Sequence, residues 1–380
     1  MRYLAEARRL SDVSVICGVS GGAVATAAVG SGVATAAGRD ALDQSGFMAE
    51  IFDPFLQAVT SRNLRQEAVG RWLGQRILPG GRPRNLILAE VLHEALFPRL
   101  TTLAELPDNP QLIFTGTELG AGRAFRFAKG FIGSWDYGYR APPQAFEVAE
   151  AVAASAAAPP FVPPLQLRSS DLGLANAPSV LTITDGGVYD NLGIEWFQGW
   201  STQRRPESAI AADDLIVVNA SGPLVRARGR LRGLRALNRS RKVQYAQTQA
   251  TRIRWLVAEF EAGRQQGMYL GVTGDPRKYR LPGGVPVDPS CYSGALPSKL
   301  ITPLAGLRTD FNRFTVDEAR LLSYHGYWSA HARIASLRPD QAVERPSWRD
   351  YEQMPEREVN QMAKDLSRPR RHVVIAEQGR

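Results

Sequence analysis

Residues 13–30 read VSVICGVSGGAVATAAVG, and the parsing of this stretch decides the fold. Val13 to Cys17 is short, apolar and β-prone, which predicts a strand, while the Ala-rich run from Gly21 to about Ala37 predicts a closely packed helix. Only Gly18-Val19-Ser20 separates them, so the chain passes from strand through a sharp turn into a helix. From Val13 to Gly38 there are 26 consecutive uncharged residues behind a short basic start. That run has the outline of a signal peptide or a membrane span. Gly18, Ser20, Gly21, Gly22, Gly30, Ser31 and Gly32 interrupt it, however, and its Ala, Thr and Gly content is far less apolar than a Leu-rich span. A buried core segment is the reading that fits.

Working outward, Gln111 to Thr117 (QLIFTGT), Leu181 to Thr184 (LTIT) and Leu215 to Asn219 (LIVVN) are further strand candidates. Phe146 to Ala158 reads as a small-residue helix stopped by Pro159-Pro160. Strands alternating with helical stretches predict an α/β fold: an open, mostly parallel sheet with helices on both faces. Residues 50 to 100 read as a helical insertion broken at Gly80-Gly81-Arg82-Pro83. Val225 to about Gly263 reads as an Arg-rich segment running into a long helix, and Leu281 to Pro303 as a loop. Asp317 to Leu337 reads as a helix capped by Thr315 with Glu318 as its reciprocal partner. After Pro339 the chain turns polar, as a peripheral helix with a loose end. At 380 residues, with 44% hydrophobic and 22% charged, the composition is that of a folded globular chain able to bury a sizeable core. Cys17 and Cys291 allow at most one disulfide and lack metal-type spacing, which suits a reducing, cytoplasmic compartment.

Two short patterns carry chemistry. Gly18-Val19-Ser20-Gly21-Gly22 matches G-x-S-x-G, in which a strand-to-helix turn forces a serine into a strained, exposed position among small neighbours. At the positive end of the following helix, a developing anion would be stabilised. The second pattern is Asp185-Gly186-Gly187, where an aspartate ends the strand LTIT and two glycines let backbone approach it. Strand ends in α/β sheets are where ligands bind. A desolvated carboxylate within hydrogen-bond reach can take the proton of a serine without a histidine. Each pattern alone is also an ordinary Gly-rich turn.

Together, and with the small-residue stretch Val152 to Phe161 (VAASAAAPPF) between them, the patterns resemble the patatin-like phospholipases. Thr115 to Phe127, Asp185 to Gly193 and Leu307 to Tyr327 are also similar to that family. The resemblance covers roughly residues 1–335, leaving 336–380 as a polar helical extension. It implies a lipid acyl hydrolase with a Ser-Asp dyad, Ser20 matching the nucleophile and Asp185 the base, and Ser155 packing beside them. The implied substrate is a phospholipid or other acyl-ester lipid, and no metal or cofactor is called for. The family also carries a Gly-rich loop after its first strand whose N–H groups form most of the oxyanion hole. Met1 to Ala7 resembles the middle of the helix following that loop, so first strand and loop are expected to be absent here. Gly21 N–H is then the one evident oxyanion donor. That departure keeps open a weakly active or inactive lipid-binding or scaffold protein of the same fold.

A competing enzyme reading orders Ser20, Asp190 or Asp213, and His325 or His331 as a triad. Against it, His325 lies in a helical pattern, and His93 and His372 belong to no motif. No zinc or P-loop pattern occurs. Finally, Arg226 to Lys242 holds seven Arg and one Lys in 17 residues with no acid, and thus +8 of the net charge of +9. Leu231, Leu234 and Leu237 recur every third residue within it, as on one face of a helix, which suits peripheral attachment to an anionic membrane. A solvated face pairing with acids elsewhere is the plainer alternative. Nucleic acid is disfavoured, because no aromatics are interleaved for stacking.

Overall fold

The computed structural model describes residues 1–35, 38–75, 83–159, 162–198, 203–227, 229–308 and 310–368. Gly80 to Arg82, Pro160, Phe161, Arg228 and His372 therefore lie outside the described residues, as does the end after Arg368. In chain order the elements begin with α1 (Arg2–Glu6), β1 (Val15–Val19) and α2 (Gly21–Val33). Next come α3 (Gln44–Gly46), a π-helical turn Phe47–Phe52 leading into α4 (Asp53–Ser61), α5 (Leu64–Gln75) and α6 (Arg84–Leu96). Four strands follow, β2 (Gln111–Glu118), β3 (Arg123–Ala128), β4 (Phe131–Ser134) and β5 (Gly138–Arg140). The chain continues through α7 (Val148–Ser155), β6 (Leu165–Arg168), β7 (Val180–Asp185), α8 (Gly187–Asp190) and β8 (Asp214–Asn219). It ends with α9 (Gly233–Glu261), β9 (Gln266–Gly271), α10 (Ser298–Ala305), α11 (Val316–Leu337) and α12 (Glu356–Ser367).

The expected mostly parallel sheet is not what forms. Seven strands run in the order β5-β4-β3-β2-β7-β6, with β1 also on β2, and only the β1–β2 pair is parallel. All the other pairings in this sheet are antiparallel. The reason is local. Leu119 to Gly122 joins β2 to β3, and Lys129-Gly130 joins β3 to β4. Connections this short can only return the chain antiparallel, since a parallel neighbour needs a crossover of a dozen residues or more. A second, two-stranded sheet pairs β8 with β9 in parallel.

The two faces of the main sheet are covered unequally, which also revises the expectation of helices on both. Side chains alternate across a strand. Leu112, Phe114, Phe125, Phe127, Ile132, Leu181 and Ile183 point to the face packed by α2, α6 and α7. Ile113, Ala128 and Phe131 point the other way, onto Trp196 in the turn Glu195–Phe197. Trp196 stacks on Phe131 with centroids 5.1 Å apart. Helix α2 is closely packed, as its composition implies: a Cβ on Gly30 would stand 2.7 Å from a Leu112 methyl. The uncharged run from Val13 thus holds β1 and a 13-residue core helix, as the buried-segment reading expects. No helix among the described residues is long and apolar enough to cross a membrane. Thr315 and Glu318 form the expected capping box on α11, their bonds 3.2 and 2.9 Å long. The stretch Leu281 to Pro303 is less loop-like than expected, since α10 begins at Ser298.

Candidate active site

Register alone brings the two motifs together. Strand β2 bonds β3 along one edge, so β1 and β7 must share the other. β1 runs parallel up that edge and ends with Val19 opposite Thr115, while β7 runs antiparallel down it and ends with Asp185 opposite Gly116. The two strands meet tip to tip at adjacent residues of β2. Ser20 and Asp185 are the residues at that junction, and Ser20 Oγ donates to Asp185 Oδ2 over 2.8 Å.

Ser20 sits at φ 54° and ψ −121°, a region costing of order 1–3 kcal/mol for a residue with a side chain. Two linked hydrogen bonds hold it there. Its N–H donates to Ser155 Oγ (3.0 Å), and that hydroxyl donates in turn to Thr115 O (2.7 Å), so fully buried Ser155 clamps the turn to β2. Gly18 is needed for closeness, because a Cβ there would lie 2.5 Å from Thr26 Oγ1. At Gly21 and Gly22 the crowding expected from the motif is not found: a Cβ would meet nothing within 4 Å, since both face outward. Ser20 also does not cap α2 with its side chain, which is committed to Asp185. The first-turn N–H groups of Gly21 and Gly22 have no acceptor within their own helix. They mark the positive end of the dipole beside the serine.

Asp185 is 7% exposed. Its Oδ1 accepts from Gly187 N (2.7 Å) and its Oδ2 from Ser20. Burial lifts its pKa above the ordinary value of 3.8, and the two hydrogen bonds oppose the rise. The following glycine is obligatory, because a Cβ on Gly186 would stand 2.0 Å from Thr115 O. Thr117 Oγ1 donates to Asp185 O (2.9 Å), and Asp185 N and Gly186 N donate to the carbonyls of Ala157 and Ser155. The end of β7 thereby ties off the C-terminal turn of α7, which explains why α7 must be built of small residues.

The Ser20 turn, its partnered aspartate and the sheet that joins them all lie within the reach of one family model, that of the patatin-like phospholipases, which matches residues 1–197. The chain belongs to this family. Patatin-like proteins are hydrolases acting on lipid esters. No curated protein matches the chain.

The histidines of the alternative triad bond elsewhere in this patatin-like protein. His325 Nε2 lies 2.9 Å from Val272 O and His331 Nδ1 3.1 Å from Tyr3 Oη, both rings buried in α11. Desolvation lowers both pKa values, that of His331 to about 4. Asp190, fully buried, pairs with Arg252 at 2.7 Å and accepts from Glu195 N at 2.7 Å and Leu192 N at 3.2 Å. Asp213 is exposed.

Several neighbours of the site escaped the sequence reading. Tyr245 Oη donates to Asn191 Oδ1, and Asn191 Nδ2 donates to Ser221 Oγ over 2.8 Å. A Cβ on Gly187 would lie 3.2 Å from that Tyr245 hydroxyl. Burial and the nearby Asp185 carboxylate push the phenol up to about 12. Tyr245, Gln249 and Arg252 follow an i, i+4, i+7 spacing, a helix-face signal masked by the basic stretch just before it. Among the described residues no three His, Cys, Asp or Glu converge as a metal site.

Proposed function

We propose that this chain is a serine lipid acyl hydrolase, acting as a phospholipase A, lysophospholipase or esterase through Ser20 and Asp185. The observation that carries the reading is the 2.8 Å bond from Ser20 Oγ to a buried carboxylate whose other oxygen is held by Gly187 N. In the first step Asp185 Oδ2 takes the hydroxyl proton as Ser20 Oγ attacks the acyl carbonyl carbon. The carbonyl π electrons move to oxygen, and Gly21 N–H, at the head of α2, stabilises the oxyanion. Collapse expels the alcohol, which receives the proton from Asp185, leaving acyl-Ser20. Water then attacks with Asp185 again as base, and breakdown of the second intermediate releases the fatty acid and restores the serine proton. A strained, pre-positioned serine supports this role because its geometry is settled before substrate arrives.

The proposal takes residues 1–335 as the catalytic domain and 336–380 as its extension. It places the enzyme at an anionic membrane contacted through Arg226 to Lys242. Its test is covalent labelling. A fluorophosphonate probe should modify Ser20 and a nitrophenyl butyrate assay should show turnover, both lost in Ser20→Ala and greatly weakened in Asp185→Asn. Labelling and turnover persisting undiminished in either variant would sink the dyad. No turnover above the Ser20→Ala control would instead favour a lipid-binding protein of the same fold.

A further inference from the structure

Helix α9 spans 29 residues, and its two halves have different surroundings. In the C-terminal half, Ile253, Leu256 and Phe260 pack with Leu192, Ile194, Leu215 and Val217. Arg252 there pairs with Asp190, and Tyr245 bonds Asn191. These contacts seat the helix on the loop that follows Asp185. In the N-terminal half, Leu234 and Leu237 are 83% and 67% exposed. At 100° per residue, Leu234, Leu237, Arg241, Tyr245 and Arg252 fall within about 80° of one another. The face that braces the catalytic loop thus continues, uncovered, as a leucine pair. Leu231 does not share the helix as expected, because α9 starts at Gly233. It lies instead in the lead-in segment, which Arg239 ties back to the helix by donating to Val225 O over 2.8 Å. Val225 is itself 72% exposed.

The charges around these leucines are uncompensated. Among the described residues, none of Arg226, Arg230, Arg232, Arg235, Arg239, Arg241 and Lys242 has a carboxylate partner, so the plainer idea of pairing with acids elsewhere finds no support. A surface with both exposed leucines and unpaired cations matches the boundary of an anionic bilayer, where apolar side chains enter the acyl region and cations meet phosphate. Nucleic acid would neutralise the cations and leave the leucines in water.

We propose that residues 224–227 and 229–242 are a docking foot for anionic phospholipid bilayers, joined through one face of α9 to the loop that follows Asp185. Docking then holds the Ser20–Asp185 pair, one loop away from α9, at the lipid surface. This rests on the lipid acyl hydrolase reading and is tested separately from it. Co-sedimentation with phosphatidylcholine vesicles containing 30% phosphatidylglycerol, at about 0.1 and 0.5 M salt, reads the foot, and salt should weaken binding. Wild type and Ser20→Ala should bind alike, while the surface variant Leu234→Ser/Leu237→Ser should lose at least about tenfold in binding, as apolar insertion predicts. Hydrolysis of lipid in those vesicles should fall in parallel, with turnover of a soluble butyrate ester unchanged. Sedimentation of the leucine variant like wild type, or no wild-type binding, would overturn the foot. So would conversion of a dimer to a monomer by the leucine changes, or duplex DNA binding that survives them while vesicles are ignored. Loss of the hydrolase reading would appear differently, as Ser20→Ala retaining ester turnover.

Discussion

Ser20 and Asp185 show how a site can be set against stability. Burial raises the Asp185 pKa, so the folded protein holds that proton more tightly than the unfolded chain. The stability contribution therefore falls as pH rises from 3.8 through the raised folded value, and the penalty remains in full at neutral pH. Asp185→Asn removes that penalty and can keep the bond from Gly187 N. We expect it to raise Tm at pH 7 while lowering ester turnover about 10²- to 10⁴-fold, the usual range for losing a general base. A Tm gain that is no larger at pH 7 than near pH 3.5 would contradict the argument. In the proposed mechanism Asp185 accepts the serine proton as a carboxylate, so the acid limb of the rate profile should likewise sit above pH 3.8. Ser155 belongs to the same scale as a positioning residue. It is 0% exposed and acts on Ser20 through the backbone. Ser155→Ala should lower kcat about tenfold, equal to roughly 1.4 kcal/mol, with KM nearly unchanged. A shift confined to KM would mean that Ser155 shapes the substrate pocket instead.

At the scale of elements, the site's two halves were legible because each is local. A strand, a Gly-Ser turn and an Ala-rich helix occupy consecutive residues, and so do LTIT and the Asp-Gly-Gly that follows it. Strand direction was not legible, because it depends on what the connections do. LGAG and KG between β2, β3 and β4 are hairpin turns, and they create an antiparallel meander that the alternation of strands and helices did not announce. The brace supplied by α9 was hidden for a different reason. Tyr245 is 54 residues from Asn191 in sequence, and nothing in either segment announces the other. That brace has a measurable cost of removal. Asp190 is fully buried and Arg252 is its charged partner, so Arg252→Met leaves an uncompensated carboxylate held only by backbone N–H groups. Loss of about 3 kcal/mol in chemical denaturation is expected, whereas Tyr245→Phe should cost about 1 kcal/mol. If α9 were merely lying on the surface, both would be neutral.

For the whole molecule, closure depends on α1 meeting α11. Tyr3 is buried against Tyr327 and His331, with ring centroids 5.4 and 5.3 Å apart. Its hydroxyl also accepts from Val343 N at 3.0 Å, while Glu6 accepts from Tyr327 Oη and from Ser347, each over 2.7 Å. Residues from the first ten and from beyond 320 are thus stitched into one aromatic cluster that includes Trp328 and Trp348. His331 is its titratable member, flanked by the Tyr3 hydroxyl and the Trp328 ring, with Glu6 and Arg349 acting on it in opposite senses. Burial lowers its pKa from 6.5 to about 4, so the folded state resists the proton that the unfolded state accepts. Stability from this group is therefore fully present above pH 6.5 and is lost as pH falls toward 4. A pH series of Tm on wild type and His331→Gln checks it. The wild type should lose stability steeply across that interval, and the variant, lower at pH 7 because it disturbs the packing, should be flatter there. Parallel curves would place the acid sensitivity in the carboxylates instead, and would leave the junction of α1 with α11 indifferent to pH.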